Sequence, residues 1–195
     1  MNKTLVSLSL ISILLTSMLA SSCSDTTLGT KSFTETLDQL TIPGAPVNFG
    51  NLDLPELNFP LDLKDQEGYS SLDIVTSVNV RSASFTISEE SDNPELDRFS
   101  DNNPDNFDFL NSLTLSLVAT IDGRKQTVQV ATLPEGDPQV GSNLTKLELV
   151  IDDVDVRDYV EAPDVELAIL ASGTVPPDFV IIDPVIRFRV GVGVR

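Results

Sequence analysis

Two groups of oxygen-bearing side chains have a spacing suited to chemistry in this 195-residue chain. The first lies in EESDNPELDRFSDNNPDNFD, residues 89–108, and offers Asp97, Asp101, Asn103, Asp105 and Asp108. Asp101-x-Asn103-x-Asp105 places an oxygen donor at every second position, as in loops that wrap Ca2+ with about six to eight hard oxygens. Such a loop also needs Gly at its sixth position and Glu at its twelfth. This chain has Asn106 and Ser112 there, and Pro104 stiffens the middle. The second group is Asp152, Asp153, Asp155, Asp158, Glu161 and Asp164. Neighbouring carboxylates can raise one another's pKa and work as an acid/base pair, or they can hold a cation. They can equally charge an edge strand so that no other chain pairs with it. The sequence favours solvated or protective roles for both groups. The residues that would hold a metal are Asp101, Asn103, Asp105, Asp152, Asp153 and Asp155. The ion would be Ca2+, and no other cofactor is expected.

Composition removes most alternatives. There is no histidine and no tryptophan, Cys23 is the only cysteine, and the two tyrosines are Tyr69 and Tyr159. Histidine-based proton shuttles, the main zinc ligand, disulfides and aromatic stacking platforms therefore lack material. No Walker loop or nucleophile elbow is present, and Gly191-Val192-Gly193 sits in a strand-like run that leads to no helix. Catalysis is not expected. A formal net charge of −18 repels nucleic acid and anionic headgroups alike. Arg187 and Arg189 fall on the parity opposite Phe188, where they face water, pair with carboxylates, or form an anion site.

Cys23 is the remaining reactive group, and its setting is specific. Lys3 gives a positive start, Leu5 to Leu19 is uncharged and apolar, and Ala20, Ser21 and Ser22 are small. That is a secretory signal peptide, too short for a confident membrane span. Leu19-Ala20-Ser21-Ser22-Cys23 resembles the lipobox of bacterial lipoproteins, with Ala20 where Leu is commoner. The resemblance implies that residues 1–22 are removed and that Cys23 becomes an acylated N-terminus. Two or three chains, at about 0.8 kcal/mol per buried methylene, hold a protein stably where one chain is marginal. Ser24 after the cysteine points to the outer membrane, by similarity to sorting in enteric bacteria.

Beyond the cysteine the chain must first connect and then fold. Residues 24–43 are polar and Thr-rich and read as a tether. From 43 to 63, Pro43, Pro46, Pro55 and Pro60 forbid a regular helix while apolar residues recur every second or third position. Docking along the domain as a broken edge strand is expected over a free stalk. The organisation is thus a signal peptide at 1–22, lipid anchor and extended Pro/Asn-rich tether at 23–68, and a folded domain at 69–195.

Within the domain the period is two. Ile74, Val78 and Val80 share one parity and Ala83, Phe85 and Ile87 the other, so a bulge or break is expected near Arg81. Leu113, Leu115, Leu117 and Ala119 alternate toward Asp122-Gly123, a tight-turn signal, and Val128 and Val130 alternate on the return. Leu147 and Leu149, Leu167 and Ile169, and Phe188, Val190 and Val192 repeat the pattern. These inward positions predict one all-β, single antiparallel β-sandwich. The stretch from Phe109 to Tyr159 also resembles an uncharacterised β-sandwich domain of extracytoplasmic bacterial lipoproteins, which implies a fold and a compartment but no activity.

The functional expectation is a non-enzymatic structural or protein-binding module on the cell envelope, anchored by acyl chains on Cys23, with an envelope protein as partner. The alternative is a displayed ligand-binding module for an apolar, sugar or Ca2+ ligand.

Overall fold

The computed structural model describes residues 29–44, 51–53, 57–61, 63–66, 68–69, 72, 74–91, 105–176 and 179–193. The strands are β1 (Gly29–Thr36), β2 (Leu40–Ile42), β3 (Asn51–Asp53), β4 (Leu57–Pro60), β5 (Ile74–Ile87), β6 (Leu110–Ile121), β7 (Arg124–Leu133), β8 (Lys146–Glu148), β9 (Val150–Ile151), β10 (Glu166–Thr174) and β11 (Val180–Gly193). One short helix, α1 (Arg157–Val160), lies between β9 and β10. All pairings are antiparallel and form two sheets. The first runs β1-β11-β5-β8, with β2 following β1 along β11; the second runs β3-β10-β6-β7-β9, with β4 also against β10.

The inner faces of both sheets supply one apolar core. Phe85, Leu115, Leu117, Leu133, Leu167, Ile186 and Phe188 have no exposed surface. The positions predicted to point inward do so. All are buried except Ile74, Val128 and Val192, which are half-buried. Val130 has no residue opposite it on β6, because Leu115 pairs with Ala131 and Ser116 with Gln129. This bulge moves the inward set from Val128 and Val130 to Ala131 and Leu133. Asp122 and Gly123 both take positive φ, 51° and 73°, and Ile121 pairs with Arg124 across them. That is the two-residue turn whose twist matches a hairpin. The phase change in β5 is also a bulge: Arg187 pairs with Ser82 and Phe188 with Val80, leaving Arg81 over.

The N-terminal boundary needs correction. The tether expected from 23 to 68 is folded wherever it is described. β1 pairs along β11 from Gly29↔Val192 to Thr36↔Val185, and Phe33, Leu37, Leu40 and Ile42 are buried. The Thr and Ser residues that made this stretch look like a solvated leash are one outward-facing row of a strand. β3 and β4 pair with β10, so the proline-rich part docks as a broken edge strand. Cys23 and the signal peptide lie outside the described residues.

One glycine is fixed by close approach. A Cβ at Gly173 would sit 2.1 Å from the carbonyl oxygen of Phe109. The same oxygen accepts from the Thr174 N–H at 2.7 Å, which pins the start of β6 against β10.

Candidate functional site

The carboxylates that stand close in sequence are handed out to different backbone donors. After β8 the chain leaves the first sheet at Leu149, whose N–H donates to Ala83 at 3.0 Å. It joins the second sheet at Asp152, whose N–H donates to Val130 at 2.9 Å. It then returns, and the Val156 N–H donates to Val78 at 2.7 Å. This crossing separates the acids. The Asp152 carboxylate accepts from Gln129 Nε2 at 2.9 Å. Asp155 Oδ1 accepts from the N–H of Val78 at 2.9 Å and of Arg157 at 3.1 Å. Asp164 Oδ1 accepts from the Thr120 N–H at 3.0 Å. Hydrogen bonds from the Thr120 side chain and backbone hold the Asp164 carboxyl below its ordinary range. Asp153 is exposed. The arrangement terminates strands: Asp155 and Asp164 each supply an acceptor where a β neighbour is missing.

Asp105, the described member of the first metal set, is held elsewhere. Its carboxylate accepts from the buried Ser91 hydroxyl, and that oxygen accepts from the Ile181 N–H at 3.0 Å. Ser91 and Asp105 thereby clamp the neck of the acidic segment against the start of β11. Asp155 meets β5 at Val78, nine positions before its end at Ile87. At about 3.3 Å per residue the two anchor points are roughly 30 Å apart, so Asp105 and Asp155 do not share one ion. Among the described residues no group of three or more acidic side chains is placed to hold a metal. Asp101 and Asn103 lie outside the described residues, as does the candidate lipidation residue Cys23.

Arg187 and Arg189 project from the outer face of β11, with Ile186, Phe188 and Val190 buried between and beside them. Arg187 sits opposite Thr34 and Ser82, and Arg189 opposite Ser32 and Asn79. The Arg81 bulge adds a third exposed guanidinium beside Ser82.

Sequence reasoning missed four glutamines that finish the sheet margins. Gln66 Nε2 donates to the Thr34 carbonyl at 3.0 Å and to the Glu35 carboxylate. Gln139 bonds both backbone groups of Glu148. Gln39 Nε2 donates to Asp183 at 3.0 Å, and Gln129 to Asp152. A lone Gln in a polar stretch carries no periodic signal that could have marked it.

The fold therefore defines the chain as a two-sheet antiparallel β-sandwich. No family model and no curated protein matches it. Among solved structures it is similar to the 60-mer BFDV capsid protein, at 10% identity, 86% of this chain, 95% of that one and a TM-score of 0.36. It is also similar to turnip yellow mosaic virus, at 11% identity, 85% and 96% coverage and a TM-score of 0.26.

Proposed function

We propose that the chain is a cell-envelope lipoprotein, held in the outer membrane by acyl chains on Cys23, whose β-sandwich is a non-enzymatic structural or protein-binding module. The observation that carries this reading is the position of the only cysteine. It ends a lipobox-like segment and stands six residues before the first strand at Gly29. An acidic surface and a core filled with Leu, Ile, Val and Phe suit a soluble body displayed from such an anchor. The Asp152–Asp164 carboxylates support the non-enzymatic part, because Asp152, Asp155 and Asp164 serve separate amide or backbone donors and Asp158 pairs with Arg157. With Gln66 and Gln139 occupying sheet margins, a protein partner meets a face or the loops and not those edges.

The test is expression of the full chain with Cys23→Ser beside the unaltered protein, in a bacterium supplied with labelled fatty acid. The unaltered chain is expected to take up label and partition into detergent, and the variant to do neither. Equal labelling of both would end the lipoprotein reading.

A further inference from the structure

The outer face of the first sheet departs from the charge of the rest of the chain. Its outward residues on β1 and β5 are mostly Ser, Thr and Asn, and its exposed cations are Arg81, Arg187 and Arg189, with Lys146 on β8 paired to Glu148. Arg187 and Arg189 are two residues apart on one strand, roughly 6.7 Å, and Arg81 lies one strand over, roughly 5 Å. Among the described residues none of the three has an ion-pair partner. Asp183 on this face is engaged with Gln39 at 3.0 Å and Glu148 with Lys146 at 2.9 Å, and Asp155, at the β5 margin, accepts from the Val78 N–H at 2.9 Å. Three unpaired guanidinium groups in a chain of net charge −18 form a local positive field. With a screening length of about 8 Å, that field is felt by whatever touches the face and not by a distant polyanion.

The chain upstream of the described residues indicates what touches it. β1 is the margin of this sheet, and Gly29 pairs with Val192 at the corner nearest Arg189, which pairs with Ser32. Five residues lie between Cys23 and Gly29, a span of at most about 20 Å. We infer that the Arg81/Arg187/Arg189 face lies against the anionic headgroups of the membrane that holds Cys23, its guanidinium groups forked onto lipid phosphates. This rests on the lipoprotein reading and adds an orientation to it. Guanidinium pairs with phosphate in two parallel hydrogen bonds, and the surrounding Ser and Thr hydroxyls can satisfy further phosphate oxygens, while the Asn79 amide is held by the Val154 carbonyl at 2.9 Å. Among the described residues no exposed large apolar side chain stands on this part of the face, so contact is peripheral and salt-sensitive, without insertion.

The experiment uses the acylated full-length product in vesicles of phosphatidylcholine, with or without phosphatidylglycerol, and an arginine-modifying dicarbonyl read out by mass spectrometry. Arg81, Arg187 and Arg189 are expected to react at least about fivefold more slowly in phosphatidylglycerol vesicles than in phosphatidylcholine, and high salt should restore the rate. Arg124, exposed at the hairpin of the other sheet, should react equally in both. Flotation with the vesicles but equal rates at all four arginines would overturn this inference and leave the anchor standing. Failure to float would overturn the anchor and this inference together. Protection of the three by soluble polygalacturonate but not by vesicles would give the face to an acidic polysaccharide and overturn the membrane assignment.

Discussion

Gln139 and Glu148 exchange hydrogen bonds as strand neighbours do. The Gln139 amide Nε2 donates to the Glu148 carbonyl at 2.9 Å, and its Oε1 accepts from the Glu148 N–H at 2.9 Å. One side chain thus stands in for the next strand beside β8, the last strand of its sheet. Gln139→Ala should expose that N–H and C=O. A loss of about 1 kcal/mol is expected in denaturant melts, together with a rise in self-association by light scattering. An unchanged melting curve and an unchanged scattering profile would show that the side chain closes nothing.

Tyr69 makes a second, opposite prediction. Its ring packs edge-on against Phe33 at 5.5 Å, and its buried hydroxyl has no hydrogen-bond partner among the described residues. Burial, then the charge of Glu161, raises its pKa above 10.0. The folded state therefore holds this proton more tightly than the unfolded chain, so ionisation of Tyr69 costs no stability below pH 10 and costs progressively more as pH rises past it toward the raised folded value. Tyr69→Phe should stabilise the protein by about 1 kcal/mol at neutral pH and should lessen the alkaline loss of stability. Calorimetry at pH 7 and pH 11 checks both parts. A destabilised variant would mean that the hydroxyl is satisfied.

Phe188 and Leu115 test the assignment of faces. Each is wholly buried, and truncation to Ala should cost about 3–5 kcal/mol at Phe188 and about 2–5 at Leu115. Thr120, exposed on the opposite parity of β6, should lose less than about 0.5 kcal/mol on change to Ser. Urea titration of the three variants decides the matter. Similar losses at all three would mean that the inward and outward sets are not distinct.

How far such faces were legible depended on the company each residue kept. The alternation of Leu113, Leu115 and Leu117 survives because Thr and Ser fill every outward position and every inward one is aliphatic. The Arg81 bulge announced itself as a change of phase. β1 stayed hidden: Lys31 and Glu35 occupy inward parity on either side of Phe33, so a real strand reads as a polar leash. Leu147, Leu149 and Ile151 look like one strand, yet the chain changes sheets at Leu149. That change is set by Ala83 and Val130, far away in sequence. The bonding partners of the acidic residues were hidden for the same reason. Asp155 is 77 positions from the Val78 N–H it caps, and no local pattern records such a partner.

Asp164 gives the acid limb. Its pKa is lowered below 3.8 by hydrogen bonds from Thr120, so its stabilising effect is present above that pH and is lost as pH falls through the lowered value. Asp164→Ala should melt below the unaltered protein at pH 6, and the gap should narrow steadily below pH 3.8. A gap that holds constant down to pH 2 would show that charge plays no part in this cap.

The claim that everything functional rests on is the acylated cysteine, and one measurement reaches it directly. The protein is isolated from membranes of its native cell, digested, and its N-terminal peptide weighed and fragmented. The expected result is a peptide that begins at Cys23 and carries the mass of a diacylglycerol thioether. A peptide beginning at another residue, or at Cys23 with an unmodified thiol, would contradict the account.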